Sequence, residues 1–237
     1  MRVAGRVVRE TLELVRNLVK PGVTTLDLEK AAEAHILSRG AKPAFKGYHG
    51  FPCVLCTSVN GEVVHGIPSA KRVLHEGEIV SVDCGAIIDG YFGDAAITVP
   101  VGEKIDPNTA RLVRVTEASL HAAIDVVRPG ATLGDVGWAV QKVVEAEGFS
   151  VVRDFVGHGI GRQMHEDPQV PNFGQAGRGM KLREGMVIAI EPMVNAGGPD
   201  VQVLGDGWTA ITVDGSMSAH FEHTVAVTAT GAKILTE

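Results

Sequence analysis

LHEGEIVSVDCGAIIDGYFGD, residues 74–94, reads as a β-hairpin that gathers two carboxylates on one face. Ile79 to Asp83 alternates in the strand period, and Asp89-Gly90 is a two-residue turn signal. With those two residues as the turn, Ile88 pairs with Tyr91 and Asp94 falls opposite Gly85. Asp83 is then the diagonal neighbour of Asp94 at roughly 7 to 8 Å, a reach suited to bridging metal ions. A bulge near Gly93 would shift the register by one, and the plainer alternative is a pair of solvated strand acids.

The pattern recurs. Leu182 to Glu191, LREGMVIAIE, repeats Leu74 to Asp83, and Pro129-Gly130-Ala131-Thr132-Leu133-Gly134-Asp135-Val136 repeats Pro21-Gly22-Val23-Thr24-Thr25-Leu26-Asp27-Leu28 at the same offset of 108 residues. That offset is too long for a solenoid and fits two related halves, about 1–108 and 109–237, folded against each other in a single domain. Asp83 and Glu191 then hold equivalent strand positions near a pseudo-twofold axis. Thr24 with Asp27, and Thr132 with Asp135, mark helix starts, with helices expected to about Leu37 and about Glu147. The stripe Val8, Leu12, Val15 and Val19 predicts an amphipathic outer helix over Met1 to Lys20.

The chain has 237 residues, 45% of them apolar and 21% charged, which is enough to bury a sizeable core. A formal net charge of -6 gives no basic footprint for nucleic acid, and no apolar run is long enough to suggest a membrane-spanning helix. Small peptides or metabolites are the expected partners. Cys53, Cys56 and Cys84 make an odd count with no signal peptide, which predicts free thiols and a cytoplasmic setting. Cys53-x-x-Cys56 invites a zinc or redox reading, but it has no second pair or His at ligand spacing, so packing or pocket lining is expected.

Further along, His65 precedes Gly66-Ile67-Pro68, which presents it from a loop or strand end. In FVGHGIGRQMHEDPQVPNF, residues 155–173, the glycines around His158 exclude a helix and make that imidazole a ligand candidate. His165 shares the segment, while Glu166 and Asp167 read as solvated loop acids. Ser218 to Ala226 is expected as one strand, with Glu222 and Thr224 on one face and His223 on the other. His220 shares the face of Glu222 in a supporting position. The candidates are then Asp83, Asp94, His158, Glu191 and Glu222. Four acids meeting in a partly buried site repel one another without cations. Two divalent ions neutralise them, and oxygen-rich donors with one imidazole suit manganese, iron(II), cobalt or zinc. Such a pair supports amide hydrolysis. Phosphoester hydrolysis uses similar metals, but the sequence has neither a Walker-type loop nor an arginine cluster.

Over nearly its whole length the chain resembles the type I methionine aminopeptidases. Tyr48-His49-Gly50, His65-Gly66-Ile67-Pro68, Asp83, Gly93-Asp94, Gly157-His158-Gly159-Ile160-Gly161, Ile190-Glu191-Pro192-Met193 and Glu222-His223-Thr224 follow the family's motifs in order and spacing. The resemblance implies the pita-bread fold, an α+β domain of pseudo-twofold halves in which a curved antiparallel sheet is backed by outer helices. It implies that Asp83 chelates one metal, that His158 and Glu191 hold the other, and that Asp94 and Glu222 bridge them. It also implies that Glu191 is the acid/base, that His65 and His165 flank the scissile bond, and that Tyr48, Phe51, Cys56, Met164, Met193 and Trp208 line a methionine pocket. Phe51, Met164 and Gly85 stand where many or some relatives carry Tyr, Phe and Thr. The implied substrate is the N-terminal methionine of nascent peptides with a small second residue, met by a cytoplasmic monomer in transient contact with the ribosome. Aminopeptidase P and prolidase share the fold but add an N-terminal domain, and type II enzymes carry a helical insertion. A silent binding protein of this fold would lose metal ligands that are all present here.

Overall fold

The computed structural model describes residues 1–237. Its centre is a nine-stranded sheet in which every adjacent pair of strands is antiparallel. The hairpin of Ile79–Ile88 and Tyr91–Pro100 is its longest feature. Asp89 (φ 52°) and Gly90 (φ 74°) form the turn, both in the left-handed region that a tight hairpin turn requires. The register follows: Ile88 pairs with Tyr91, Gly85 with Asp94 and Asp83 with Ala96. It runs unbroken past Gly93. The glycine there serves a different end, because a Cβ would stand 2.7 Å from the backbone N of Gly5 in the N-terminal helix that crosses this strand.

Four helices back the sheet: α1 (Arg2–Leu18), α2 (Thr25–Ser38), α3 (Pro107–Asp125) and α4 (Leu133–Ala146). Thr24 and Thr132 each close a capping box with the Asp three residues on, which satisfies two otherwise orphaned N–H groups at each helix start. Asp106 caps α3, whose first residue is Pro107.

The repeat at 108 residues appears in the hydrogen bonding. Gly22 N–H donates to Leu74 O (2.8 Å) and Leu74 N–H to Val23 O (2.8 Å); Gly130 N–H donates to Leu182 O (2.9 Å) and Leu182 N–H to Ala131 O (2.7 Å). The bridge of Thr24 to Val73 has its counterpart in Thr132 to Lys181. At the middle of the sheet, Tyr91–Pro100 pairs with Glu222–Thr228, Ala96 opposite Glu222 and Ala95 opposite His223. Ile79–Ile88 flanks this central pair on one side and Val187–Ile190 on the other.

Each side has its own core. One cluster joins Val8, Leu12 and Val15 of α1 and Leu28 and Ile36 of α2 to Val80 and Val82 of the hairpin. The other joins Leu112 and Leu120 of α3 and Val136 and Val140 of α4 to Ile188 and Ile190. Side chains such as Leu28, Leu112 and Ile188 are fully buried, each contributing about 1.5 to 3 kcal/mol. These packed layers support the central strands from behind. One expected strand divides. Ser218–His220 pairs with Met193–Asn195 in a small separate sheet, the ladder is interrupted at Phe221, and Glu222–Thr228 continues in the main sheet. Phe221 N–H donates to Pro192 O (3.3 Å) at that interruption.

Candidate functional site

The hairpin register puts Asp83 and Asp94 on one face, where their carboxyls interact within a cavity of about 180 Å³. Asp94 is buried, and its backbone is tied across the central pair of strands. Thr224 Oγ1 accepts from Asp94 N–H at 3.1 Å and donates to Asp94 O at 2.7 Å. Glu222, opposite Ala96, enters the same cavity from the neighbouring strand.

The second half supplies the rest. The strand Gly157–Gly159 lies beside Val187–Ile190, with His158 opposite Ala189. Glycine is required on both sides of His158, since a Cβ at Gly157 would stand 2.3 Å from Ala189 O and one at Gly159 2.3 Å from Asp167 O. Glu191 follows the last residue of Val187–Ile190, and its Oε1 lies 3.6 Å from His158 Nε2. His158 Nδ1 is 2.9 Å from Gly159 O, which assigns the proton to Nδ1 and leaves Nε2 with its lone pair. His220, fully buried behind the cavity, places Nε2 3.9 Å from Glu191 Oε2 and fits the supporting position.

Electrostatics set this cavity apart. Burial raises the carboxyls of Asp83, Asp94, Glu191 and Glu222 above the ordinary range, and neighbouring carboxylates raise the last three further. Burial pushes His158 down to about 4, and His165 beside it adds to the shift. Burial also lowers His65 and His165, and a neighbouring histidine adds to each shift, which favours the neutral imidazole.

His65 and His165 both line the cavity, each with its own neighbours. His65 adopts a left-handed backbone (φ 61°), a strained conformation for a non-glycine residue that costs of order 1 kcal/mol or more. The following residue helps to hold it there. Gly66 O accepts from Thr57 N–H (2.8 Å), and a Cβ on Gly66 would stand 2.2 Å from Thr57 O. His65 meets Phe155 and Trp208 edge-on, with ring centroids at 5.5 and 6.5 Å. His165 lies 4.2 Å from the His158 ring, with its Nδ1 2.8 Å from Tyr48 Oη.

Tyr48, Phe51, Cys56, Met164 and Trp208 line the apolar part of the cavity, and Phe51 packs edge-on against Trp208 at 5.1 Å. Met193 does not join them; it is fully buried in a separate cluster with Val63, Val64, Val152 and Ala210. The motif that follows Glu191 turns its methionine into that core, away from the cavity. Sequence reasoning passed over Phe45 and named His49 only within the motif Tyr48-His49-Gly50; both line the cavity. Gly85 was the available signal for Phe45: a Cβ there would stand 2.6 Å from Phe45 Cε1, so the aromatic ring takes the space over the hairpin. Cys53 packs at the margin of the same cluster.

The donor set fits divalent metal. Ligand atoms of Asp94, His158 and Glu222 lie within 4.8 Å of one another. Asp83 Oδ1, Asp94 Oδ1 and Glu222 Oε1 are buried without hydrogen-bond partners, an arrangement that is costly unless a cation takes their lone pairs. The cysteine thiols stand outside this group.

The model of metallopeptidase family M24 matches residues 1–229. The chain is 53% identical over 236 residues to a methionine aminopeptidase of Clostridium acetobutylicum, a match covering all of this chain and 94% of the relative. It is 46% identical over 237 residues to the methionine aminopeptidase of Escherichia coli, covering all of this chain and 89% of the relative. The crystal structure of a Thermotoga maritima methionine aminopeptidase superposes with a TM-score of 0.98 at 52% identity, covering all of this chain and 95% of that one. A prolidase of Pyrococcus furiosus shares the fold alone, with a TM-score of 0.79 at 22% identity over all of this chain and 62% of its own. The common architecture is the pita-bread fold.

Proposed function

We propose a division of labour in this cavity from one premise: the chain belongs to metallopeptidase family M24 and, within it, to the type I methionine aminopeptidases, hydrolases that remove N-terminal methionine. The observation that carries the proposal is the set of four carboxylates and one imidazole beside an apolar pocket of bounded size. Asp83 would hold one divalent ion and His158 with Glu191 a second, with Asp94 and Glu222 shared between them. The oxygen-rich donors suit manganese, iron(II), cobalt or zinc. Bound there, the ions supply Lewis acidity, lowering the pKa of water and polarising the scissile carbonyl.

The remaining steps belong to the chain. The methionine side chain enters between Tyr48, Phe51, Cys56, Met164 and Trp208, where an unbranched thioether gains apolar and sulfur-to-aromatic contacts. Asp83 would hold the divalent ion at which the free α-amine binds. Glu191 accepts a proton from the attacking water as its oxygen bonds to the carbonyl carbon, and returns the proton to the leaving amine as the amide bond breaks. Tyr48 O–H donating to His165 Nδ1 leaves the ring proton on Nε2, so His165 can donate a hydrogen bond to the carbonyl oxygen as charge develops. His65, held against Phe155 and Trp208, positions the peptide. The expected second residue is small: Gly, Ala, Ser or Thr.

A single chain provides every one of these groups, which supports a monomer as the working unit. The free thiols fit a cytoplasmic enzyme that meets nascent chains near the ribosome. The test is a set of tripeptides assayed with added manganese or cobalt. Met-Ala-Ser is expected to be cleaved faster than Ala-Ala-Ser by orders of magnitude, since each methylene-sized group lost is worth about 1 to 3 kcal/mol. Formyl-Met-Ala-Ser should resist. Equal rates for Met-Ala-Ser and Ala-Ala-Ser would refute the methionine assignment.

A further inference from the structure

The short loop Gly161–His165 delivers two side chains with different duties. Met164, 7% exposed, goes to the apolar wall, and His165 goes to the neighbourhood of His158 and Tyr48. The loop follows the strand Gly157–Gly159 and precedes Glu166–Val170, and it lies outside both ladders. Its shape is held by side chains. Glu166 Oε1 accepts the backbone N–H of Arg162 at 2.7 Å and that of Gln163 at 2.8 Å. Gly161 N–H donates to Gln163 O at 3.1 Å, and Gly161 O accepts from Phe92 N–H of the hairpin at 3.0 Å. The Arg162 guanidinium lies 4.3 Å over the Tyr91 ring and donates to Tyr91 Oη at 2.9 Å.

Glu166 is therefore no free surface acid. It is partly buried while its neighbour Asp167 is exposed, and one of its oxygens takes two backbone donors. Its carboxylate also folds back over the start of the loop, where a Cβ on Gly161 would stand 3.0 Å from Oε1. Hydrogen bonds from N–H to a carboxylate are roughly twice as strong as neutral ones. Two of them on one atom hold the backbone immediately before Met164 and His165.

We propose that Glu166 is a positioning residue that fixes the His165 and Met164 side chains at the cavity, with the Arg162–Tyr91 contact anchoring the same loop to the hairpin. It acts through neighbours and touches no reacting atom. The inference rests on the roles assigned above to His165 and Met164. Since both bonds end on Oε1, the amide oxygen of glutamine can accept the same two N–H groups. Charge strengthens the two bonds, but the position of the acceptor oxygen is what the loop requires of this residue.

The experiment compares Glu166→Ala, Glu166→Gln and Arg162→Ala with His165→Ala and Met164→Ala as benchmarks, measuring kcat and KM separately on Met-Ala-Ser with added manganese, together with metal per chain, thermal midpoint and L-methionine binding. A misplacement near 1 Å can cost about a hundredfold, so Glu166→Ala should lower kcat about ten- to a hundredfold and weaken methionine binding, at unchanged metal content. Glu166→Gln should recover to within about threefold of the unaltered enzyme, because the acceptor is restored. Arg162→Ala, on an exposed side chain that the folded state tolerates losing, should fall between the two. Equal damage in Glu166→Gln and Glu166→Ala would overturn the proposal. Normal kinetics in Glu166→Ala beside damaged His165→Ala and Met164→Ala would overturn it alone. Normal kinetics in both benchmarks would overturn the site reading and this inference with it.

Discussion

The hydroxyl of Thr224 replaces a rung of the ladder for Asp94, accepting its N–H at 3.1 Å and donating to its carbonyl at 2.7 Å. The backbone pairing between these two strands covers only Glu222 with Ala96 and His223 with Ala95. One buried side chain therefore continues the joint between the strands that carry both proposed bridging acids. Thr224→Val keeps the shape and leaves a buried N–H and a carbonyl unpaired, at about 1 to 3 kcal/mol. Denaturant unfolding should show that loss, and a manganese titration should show weaker binding. A variant with unchanged midpoint and affinity would refute this account of the joint.

Asp94→Ala and Glu222→Ala should each abolish turnover of Met-Ala-Ser and lower the metal bound per chain, because each carboxylate would serve both ions. Elemental analysis beside the peptide assay checks this. Full activity in either protein would be incompatible with the shared-ligand assignment.

Chelation should make stability depend on pH in a definite direction. Burial raises the carboxyls of Asp83, Asp94, Glu191 and Glu222, so each binds its proton more tightly folded than unfolded. That contribution to stability is intact below the ordinary carboxylate range near about 4 and is lost as pH rises through the raised values. The thermal midpoint of metal-free protein should fall as pH rises from the ordinary carboxylate range through about 7, the value to which Asp83 is raised, and saturating manganese should reverse the trend because the ligands must lose their protons to bind. A chelated protein that grows more stable across that interval would contradict the argument.

Glu29 tests a different part of the scaffold. It is 6% exposed, and its two oxygens accept Val54 N–H (2.6 Å) and Leu55 N–H (2.8 Å) at the start of the strand that bears Cys56. Glu29→Ala should cost about 2 to 4 kcal/mol by leaving two buried donors unpaired, and Glu29→Gln about half of that. Thermal unfolding of the two variants measures the difference.

Gly85→Thr should disturb the pocket without touching the metal. A Cβ at this position meets Phe45 Cε1 at 2.6 Å and Ala44 Cβ at 2.8 Å, and neither neighbour is a flexible polar end. Overpacking costs about 1 to 3 kcal/mol, and the displaced Phe45 ring should raise KM for Met-Ala-Ser at constant metal content. An unaltered KM would show that the ring yields elsewhere.

The hairpin and its register were legible because Asp89-Gly90 admits few alternatives and the residues around it alternate. The repeat was legible in the two proline-glycine blocks, whose hydrogen bonds recur at the same spacing. What escaped was set by contacts between distant segments. Gly93 left a bulge open as an alternative from sequence, and only the packing shows that its small size serves α1 passing over it. The interruption at Phe221 carries no periodic mark, since His220 and Glu222 keep the same alternation while pairing with different strands. Met193 and Phe45 exchanged places with respect to the cavity for the same reason, which is that burial alone does not tell which cluster a side chain joins. Glu166 looked like a solvated acid because its partners are backbone N–H groups, and these leave no trace in residue identity.

The central pairing of Tyr91–Pro100 with Glu222–Thr228 also bears on when the cavity comes into being. Asp83 and Asp94 lie ahead of α3, and His158, Glu191 and Glu222 lie behind it, so neither stretch alone contains the donor set. A chain leaving the ribosome must extend past Glu222 and bring that strand back beside Ala96 before any ion meets all five side chains. Contacts this far apart in sequence form late and slowly. Metal uptake during refolding would therefore serve as a clock for the closing event, lagging the recovery of helix and marking the moment when the two sides of the sheet first become one surface.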